Sequence, residues 1–251
     1  MENKIDKPDE SPNLLKQFTA ARVALGRTGS SVPLRESLAF KLAHAYARDA
    51  VYSKLNNGQL LNDLLLFNLP VLQVHSRAKD RYQYLQRPDL GRLLDEQSKE
   101  ALEIYSNKAD MTVIIADGLS ADAVNLHAVN LLELLIPKIA ASGLRLGPLV
   151  LASQGRVALS DEIGHALKSE LSLILIGERP GLSSANSMGA YMTYKPRPGL
   201  TDESRNCVSN IWPGGLSFHH AAEKIYYLIM QAFKLKLSGV WLKDNAGLLG
   251  I

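Results

Sequence analysis

The sequence predicts an α/β protein whose mostly parallel, Rossmann-like sheet is flanked by helices and preceded by a mainly helical N-terminal region. Three observations predict it. Leu171-Ser-Leu-Ile-Leu-Ile176 has almost no polar side chain and is stopped by Gly177 and Pro180, the pattern of a strand buried on both faces. From residue 111 onward such runs (Thr112–Ala116, Leu149–Ala152, Leu171–Ile176) alternate with helix-length segments, and repeated β-turn-α units imply a parallel sheet with right-handed crossovers. Each of the three strands ends in a polar, Gly-containing turn, around Asp117, Gly155-Arg156 and Glu178. In a parallel sheet these turns share one edge, the carboxyl edge where open α/β sheets hold ligands.

Taken in order, the chain divides into a tail over 1–16, expected to be disordered, a mainly helical region over 17–108, and an α/β region over 109–251. The tail is polar through Asn13, with two prolines. Arg22 and Arg27 flank a short apolar stretch that ends in a Gly/Ser loop. Ser31 is the expected cap and Pro33 a first-turn residue of a long helix, with Leu34, Leu38, Leu42 and Ala45 as its apolar stripe. Val71–His75 reads as a short strand, and Tyr82–Arg92 links it to a helix running to about Tyr105. Tyr82 and Tyr84 beside Arg81, Arg87 and Arg92 suit stacking on a ligand or partner. They equally suit a rim of ordinary surface residues, the reading preferred for them. Asp117–Ser120 turns into a helix reaching about Ala141, and Ser160 is expected to cap another that runs to Ser169. Met188–Tyr194 is expected as an edge strand, and Arg205–Asn210 follows a loop rich in Pro and Gly. Ser217 opens a last helix, with Ala221, Ile225, Leu228, Ile229, Ala232 and Phe233 on one side, ended by Gly239.

Composition narrows the function classes. At 251 residues, 46% hydrophobic and 21% charged, the chain has the balance of a globular protein with a sizeable core. A net charge of +3 is too weak and scattered for a nucleic-acid surface. One cysteine, Cys207, rules out an internal disulfide and fits a reducing compartment, so a cytoplasmic location is expected. Leu131–Ala152 is interrupted by Glu133, Lys138 and Arg145, so no membrane crossing is expected, and Met1–Asn13 lacks the apolar core of a secretory signal. No G-x-G-x-x-G, P-loop, H-E-x-x-H or G-x-S-x-G motif is present, and His219-His220 are adjacent and cannot share a helix face. By these residues alone the chain is an α/β protein that binds something at the carboxyl edge of its sheet. For Glu178-Arg179, a polar turn that meets only solvent stays open beside a ligand contact.

Several motifs carry a resemblance. Ala21-Arg-Val-Ala-Leu-Gly-Arg-Thr-Gly29, Tyr84-Leu-Gln-Arg-Pro-Asp-Leu-Gly-Arg92, Val113-Ile-Ile-Ala-Asp-Gly-Leu-Ser120 and Gly155-Arg-Val157 occur in that order. Gly177-Glu-Arg-Pro-Gly-Leu182, Arg205-Asn-Cys-Val-Ser-Asn-Ile211 and Gly214-Gly215 complete the set, which spans nearly everything after residue 17. The chain thereby resembles the small (light) subunit of ethanolamine ammonia-lyase, an adenosylcobalamin-dependent bacterial lyase. The resemblance implies a subunit of an enzyme that converts ethanolamine to acetaldehyde and ammonia, with the chemistry on a large partner subunit and no catalytic residue here. It implies that 109–251 is the cobalamin-binding domain and that 17–108 carries partner contacts. The positions matching cobalamin-contacting residues of the family are Val157, Glu178 and Cys207. Departures from the family pattern are Ala116 before Asp117, where Ser is common, and Ala43 before His44, where Asp is usual. A further departure is the short amino end: relatives bear an extension that directs them into a protein-shelled bacterial microcompartment, and only Met1 to about Asn13 is available here for that. The alternative is a free-standing corrinoid-binding or carrier protein on the same scaffold. No histidine stands in an Asp-x-His-x-x-Gly motif, so base-on cobalamin is expected, with dimethylbenzimidazole still on the cobalt.

Overall fold

A computed structural model describes residues 16–19, 21–106 and 109–244. The expected tail, apart from Lys16, lies outside the described residues. Six strands form one sheet: β1 (Val71–His75), β2 (Met111–Ala116), β3 (Leu146–Ser153), β4 (Leu171–Gly177), β5 (Met188–Tyr194) and β6 (Asn206–Ile211). Their order is β1-β3-β2-β4-β5-β6, with β1, β3, β2 and β4 mutually parallel and the β4/β5 and β5/β6 pairs antiparallel. The sheet is therefore mixed α/β and mostly parallel, and its first strand comes from the N-terminal half of the chain.

The helices explain why the strand sequences are apolar throughout. On one face lie α2 (Asn57–Leu64), α5 (Ala121–Ala141) and α7 (Phe218–Leu235), sharing a core with Met111, Val113 and Ile115 of β2 and Leu171, Leu173 and Leu175 of β4. On the other lie α4 (Glu96–Ile104) and α6 (Leu159–Ala166), packed on Ile114, Ala116, Ile174 and Ile176. Alternate residues of one strand thus feed two separate cores. Each fully buried Leu or Ile contributes about 1.5–3 kcal/mol. Helix α5 is long and apolar enough to span a bilayer, but Leu131, Leu132, Leu135 and Ile139 are buried against the sheet, as in the core helix of a layered domain.

Several expectations need correction. Met188–Tyr194 is an interior strand, buried almost end to end, and the edge belongs to Asn206–Ile211, where only Val208 and Ile211 are buried among the polar residues Asn206, Ser209 and Asn210. The long helix α1 (Leu34–Val51) has Pro33 at its cap position with no side-chain cap, so Ser31 does not serve it. Its Leu34, Leu38 and Leu42 stripe, which an ordinary amphipathic helix turns to a core, is exposed. Ala158, not Ser160, precedes the first turn of α6, and the Ser160 hydroxyl bonds back to the Val157 carbonyl at 2.8 Å. Ser217 does cap α7, accepting from the His220 N–H, but the helix ends at Lys236, which adopts a left-handed conformation three residues before Gly239. A short helix, α3 (Arg81–Gln86), capped by the Asp80 carboxylate, occupies part of the expected link between β1 and α4.

Candidate functional site

The crevice begins with the crossovers. From β2 the chain runs through α5, on one face, to β3; from β3 it runs through α6, on the other face, past β2 to β4. Loops leaving neighbouring strands toward opposite faces open a crevice at their carboxyl ends. There the turns after β2, β3 and β4 meet in a cleft of about 450 Å³ lined by Gly118, Leu119, Arg156, Val157, Gly177, Glu178 and Arg179, with Tyr84 and Tyr191 completing its walls. The three turns expected to share an edge are brought together.

Asp117 ties two of these turns. It is buried and accepts hydrogen bonds from the backbone N–H groups of Gly118 at 2.9 Å, Gln154 at 2.8 Å and Gly155 at 3.0 Å. Burial pushes its carboxyl above the usual range, while those N–H donors and the Arg81 guanidinium pull it down. The β2 and β4 turns touch through glycines. Gly118 has φ +57° and lies against Gly177, and the Leu119 N–H donates to the Gly177 carbonyl at 3.0 Å. A Cβ on Gly118 would collide with the Ile176 side chain and the Gly177 backbone.

The floor is made by Tyr84. Its ring is fully buried between two guanidiniums, Arg156 at 4.1 Å and Arg81 at 4.7 Å from the ring centroid, and its hydroxyl donates to the Gly155 carbonyl at 3.2 Å. Burial raises the phenol well above its ordinary range, so it stays a neutral donor. Arg81 donates from Nε to the Val51 carbonyl at 2.6 Å and from Nη1 to the Gly118 carbonyl at 2.7 Å. The preferred sequence reading of a surface rim fails for Tyr84 and holds for Tyr82, which is exposed. Nothing in the local pattern marks the difference, because two of the groups that bury Tyr84, Gly155 and Arg156, lie 71 and 72 residues away.

Val157 and Glu178 line the cleft. The Glu178 carboxylate reaches across β5 at Gly189 and accepts from the Asn210 N–H at 3.2–3.3 Å. Cys207 does not line the cleft. It stands opposite Tyr191 in the β5/β6 register, behind the Tyr191 phenol. The residue is exposed, but partial desolvation of its thiol and the nearby Glu178 carboxylate raise its pKa above the ordinary value, against a hydrogen bond from Tyr191. Cys207 is accordingly expected to alkylate with iodoacetamide more slowly than free cysteine at pH 8, where the thiolate is the reacting form. A rate equal to that of free cysteine would contradict this. Sequence reasoning missed Tyr191 and Asn210, although Tyr191 sits two residues from Gly189 on an alternating strand, where the period alone places both on one face.

This geometry defines an α/β protein with an open crevice at the carboxyl ends of its parallel strands. Residues 9–243 match the family of the ethanolamine ammonia-lyase light chain (EutC). Relatives named ethanolamine ammonia-lyase small subunit include those of Pseudomonas aeruginosa (50% identical, covering 96% of this chain and 90% of the relative) and Rhodopseudomonas palustris (49%, covering 92% and 89%). A third, from Azotobacter vinelandii, is 48% identical over 92% of this chain and 87% of its own. The chain belongs to the ethanolamine ammonia-lyase light chain family.

Proposed function

We propose that this small subunit of ethanolamine ammonia-lyase binds adenosylcobalamin in the cleft through Val157 and Glu178, with Cys207 beside it, at the interface with the large subunit. The observation that carries the reading is that Val157 and Glu178, two of the three family-matched positions, line one cleft, and the third abuts it through Tyr191. The residues present fit such a group. Glu178 offers acceptor oxygens to amide or ribose hydroxyl donors, and Val157 an apolar contact. Arg156, which lines the cleft, keeps a buried Nε without a hydrogen-bond partner. A corrinoid is far larger than 450 Å³, so only part of it enters and the large subunit covers the rest. The exposed stripe of Leu34, Leu38 and Leu42, with Tyr46, supports partner contacts by region 17–108.

Bound adenosylcobalamin supplies the radical chemistry that converts ethanolamine to acetaldehyde and ammonia. This chain binds and orients the cofactor and closes its side of the site against water. The catalytic residues are assigned to the large subunit. The isolated chain is therefore expected to show no ethanolamine deamination, and activity to appear when large subunit and adenosylcobalamin are added. Turnover by the chain alone would overturn the assignment. Tight cobalamin binding by the isolated chain would instead favour a free-standing carrier.

Glu178→Gln is expected to weaken cobalamin binding by the assembled enzyme tenfold to a hundredfold, as loss of a charge-assisted hydrogen bond worth about 1.5–3 kcal/mol. Its amide oxygen still accepts from Asn210, so the melting temperature should barely move. Unchanged affinity would make Glu178 a solvated turn residue. The cofactor is assigned as base-on: none of the six histidines lines the cleft. Electron paramagnetic resonance of cob(II)alamin on nitrogen-15-labelled protein is expected to match the unlabelled sample, and a changed axial nitrogen hyperfine pattern would refute it. The Rossmann-like reading of 109–251 as the cobalamin-binding domain draws support from the switch-point crevice, to which Tyr84 of the preceding region contributes. We place the enzyme in the cytoplasm, with Met1–Asn13 as the segment through which a microcompartment would recruit it. Fluorescent fusions with and without these residues test that.

A further inference from the structure

The cleft carries two guanidiniums that form no ion pair among the described residues, while the one carboxylate lining it with them, Glu178, is engaged by the Asn210 N–H. Arg179 lines it from the turn after β4, exposed and without a hydrogen bond or ion pair. Arg156 lines it from the turn after β3, and its one side-chain hydrogen bond runs from Nη2 to the Tyr84 carbonyl at 3.0 Å. Arg156 is nonetheless held in place. Its guanidinium stacks on the buried Tyr84 ring, its own N–H donates to the Gly91 carbonyl at 2.8 Å, and its Cγ lies where a Cβ on Gly91 would approach to 2.8 Å. A third cation, Arg81, stacks on the same ring, and the two guanidiniums repel. Asp117, the buried carboxylate that ties the turns after β2 and β3, is already engaged by three backbone N–H groups. Helices α5 and α6 both start at this edge and add partial positive charge. Two guanidiniums against one carboxylate leave the lining of this partly enclosed cleft net positive, which is matched to an anion.

We propose that Arg156 and Arg179 receive the phosphodiester of the cobalamin nucleotide loop. The proposal rests on the cofactor reading above and deepens it. The side-chain amides of a corrin are neutral, so the phosphodiester is the anion the cofactor offers, and guanidinium is the side chain whose donor fork matches phosphate oxygens. Glu178, on the same rim, is left to accept from the neutral donors, amides and a ribose hydroxyl.

The test is spectroscopic titration of the complex with the large subunit, using adenosylcobalamin and adenosylcobinamide, which has the corrin and adenosyl group but no nucleotide-loop phosphate. Arg156→Met and Arg179→Met are each expected to weaken adenosylcobalamin binding about tenfold or more. Both are expected to leave adenosylcobinamide affinity unchanged and to flatten the salt dependence of cobalamin binding. Arg156→Lys, which keeps the charge, should recover part of the loss. Arg179 is exposed, so its variant carries the test even if Arg156→Met folds poorly. Equal losses for both ligands, or unchanged cobalamin affinity in Arg179→Met and a folded Arg156→Met, would overturn the assignment and leave the cofactor reading standing. A wild-type complex that binds neither ligand would overturn the cofactor reading itself.

Discussion

Asp161→Ala is expected to lower the stability of the folded chain by about 3–5 kcal/mol, the cost of leaving one partner of a buried ion pair alone. Asp161 on α6 and Arg205 at the start of β6 meet in a direct salt bridge with side chains 3% and 2% exposed. Arg205 also reaches Asp202 at 2.9 Å, but that carboxylate is exposed and cannot replace Asp161. The guanidinium stays charged at any working pH, so removing Asp161 strands a charge in a dry site. For a chain of this length the loss is a fall in melting temperature of roughly 6–20 °C. The Asp161→Leu, Arg205→Met double variant should recover most of it, because Oδ1 of Asp161 and Nε of Arg205 are already buried without partners. A single variant that melts within about 2 °C of the parent would show that the pair contributes little.

Asp117→Ala should cost a comparable amount, and here the damage falls on the cleft. Three backbone N–H groups lose their acceptor, and each buried donor left unsatisfied costs about 1–3 kcal/mol. The turns after β2 and β3 would lose their common anchor, so cofactor affinity should fall together with stability. Asp117→Asn, which keeps one acceptor oxygen, should lie between. Thermal denaturation and cobalamin titration of the assembled enzyme read the two effects separately. A full-affinity Asp117→Ala variant would show that the turns hold their shape without the carboxylate.

The sheet was legible because its strands are unusually plain. Met111–Ala116 and Leu171–Gly177 are buried at every position, and only strands covered on both faces carry that much apolar side chain without alternation. Reading the Asp117, Gly155-Arg156 and Glu178 turns as one site followed from the parallel direction alone. The antiparallel half was harder. The interior place of β5 depends on a sixth strand whose residues are mostly polar, and edge strands need only one apolar face. The exposed α1 stripe shows the converse limit: Leu34, Leu38 and Leu42 have the period of a core-facing helix, but periodicity does not say which surface meets them.

By itself the sequence determined the class of fold, the three parallel strands β2 to β4, the edge at which their turns meet in a cleft, and, through the Gly-Glu-Arg-Pro-Gly-Leu turn and its companions, the family. Those properties are written in short-range features: apolar runs, turn residues and unbroken motifs. Only the tertiary structure decided that Tyr84 is a buried floor between Arg81 and Arg156 while Tyr82 is surface. It alone set Asp117 as the tie between two turns, moved Cys207 behind Tyr191, and paired Asp161 with Arg205. Apart from the Arg81–Tyr84 stack within α3, these join residues on different elements, 16 to 72 positions apart where a hydrogen bond makes the link. Burial and partner choice at such separations are set by how helices and strands pack, and no local propensity encodes that.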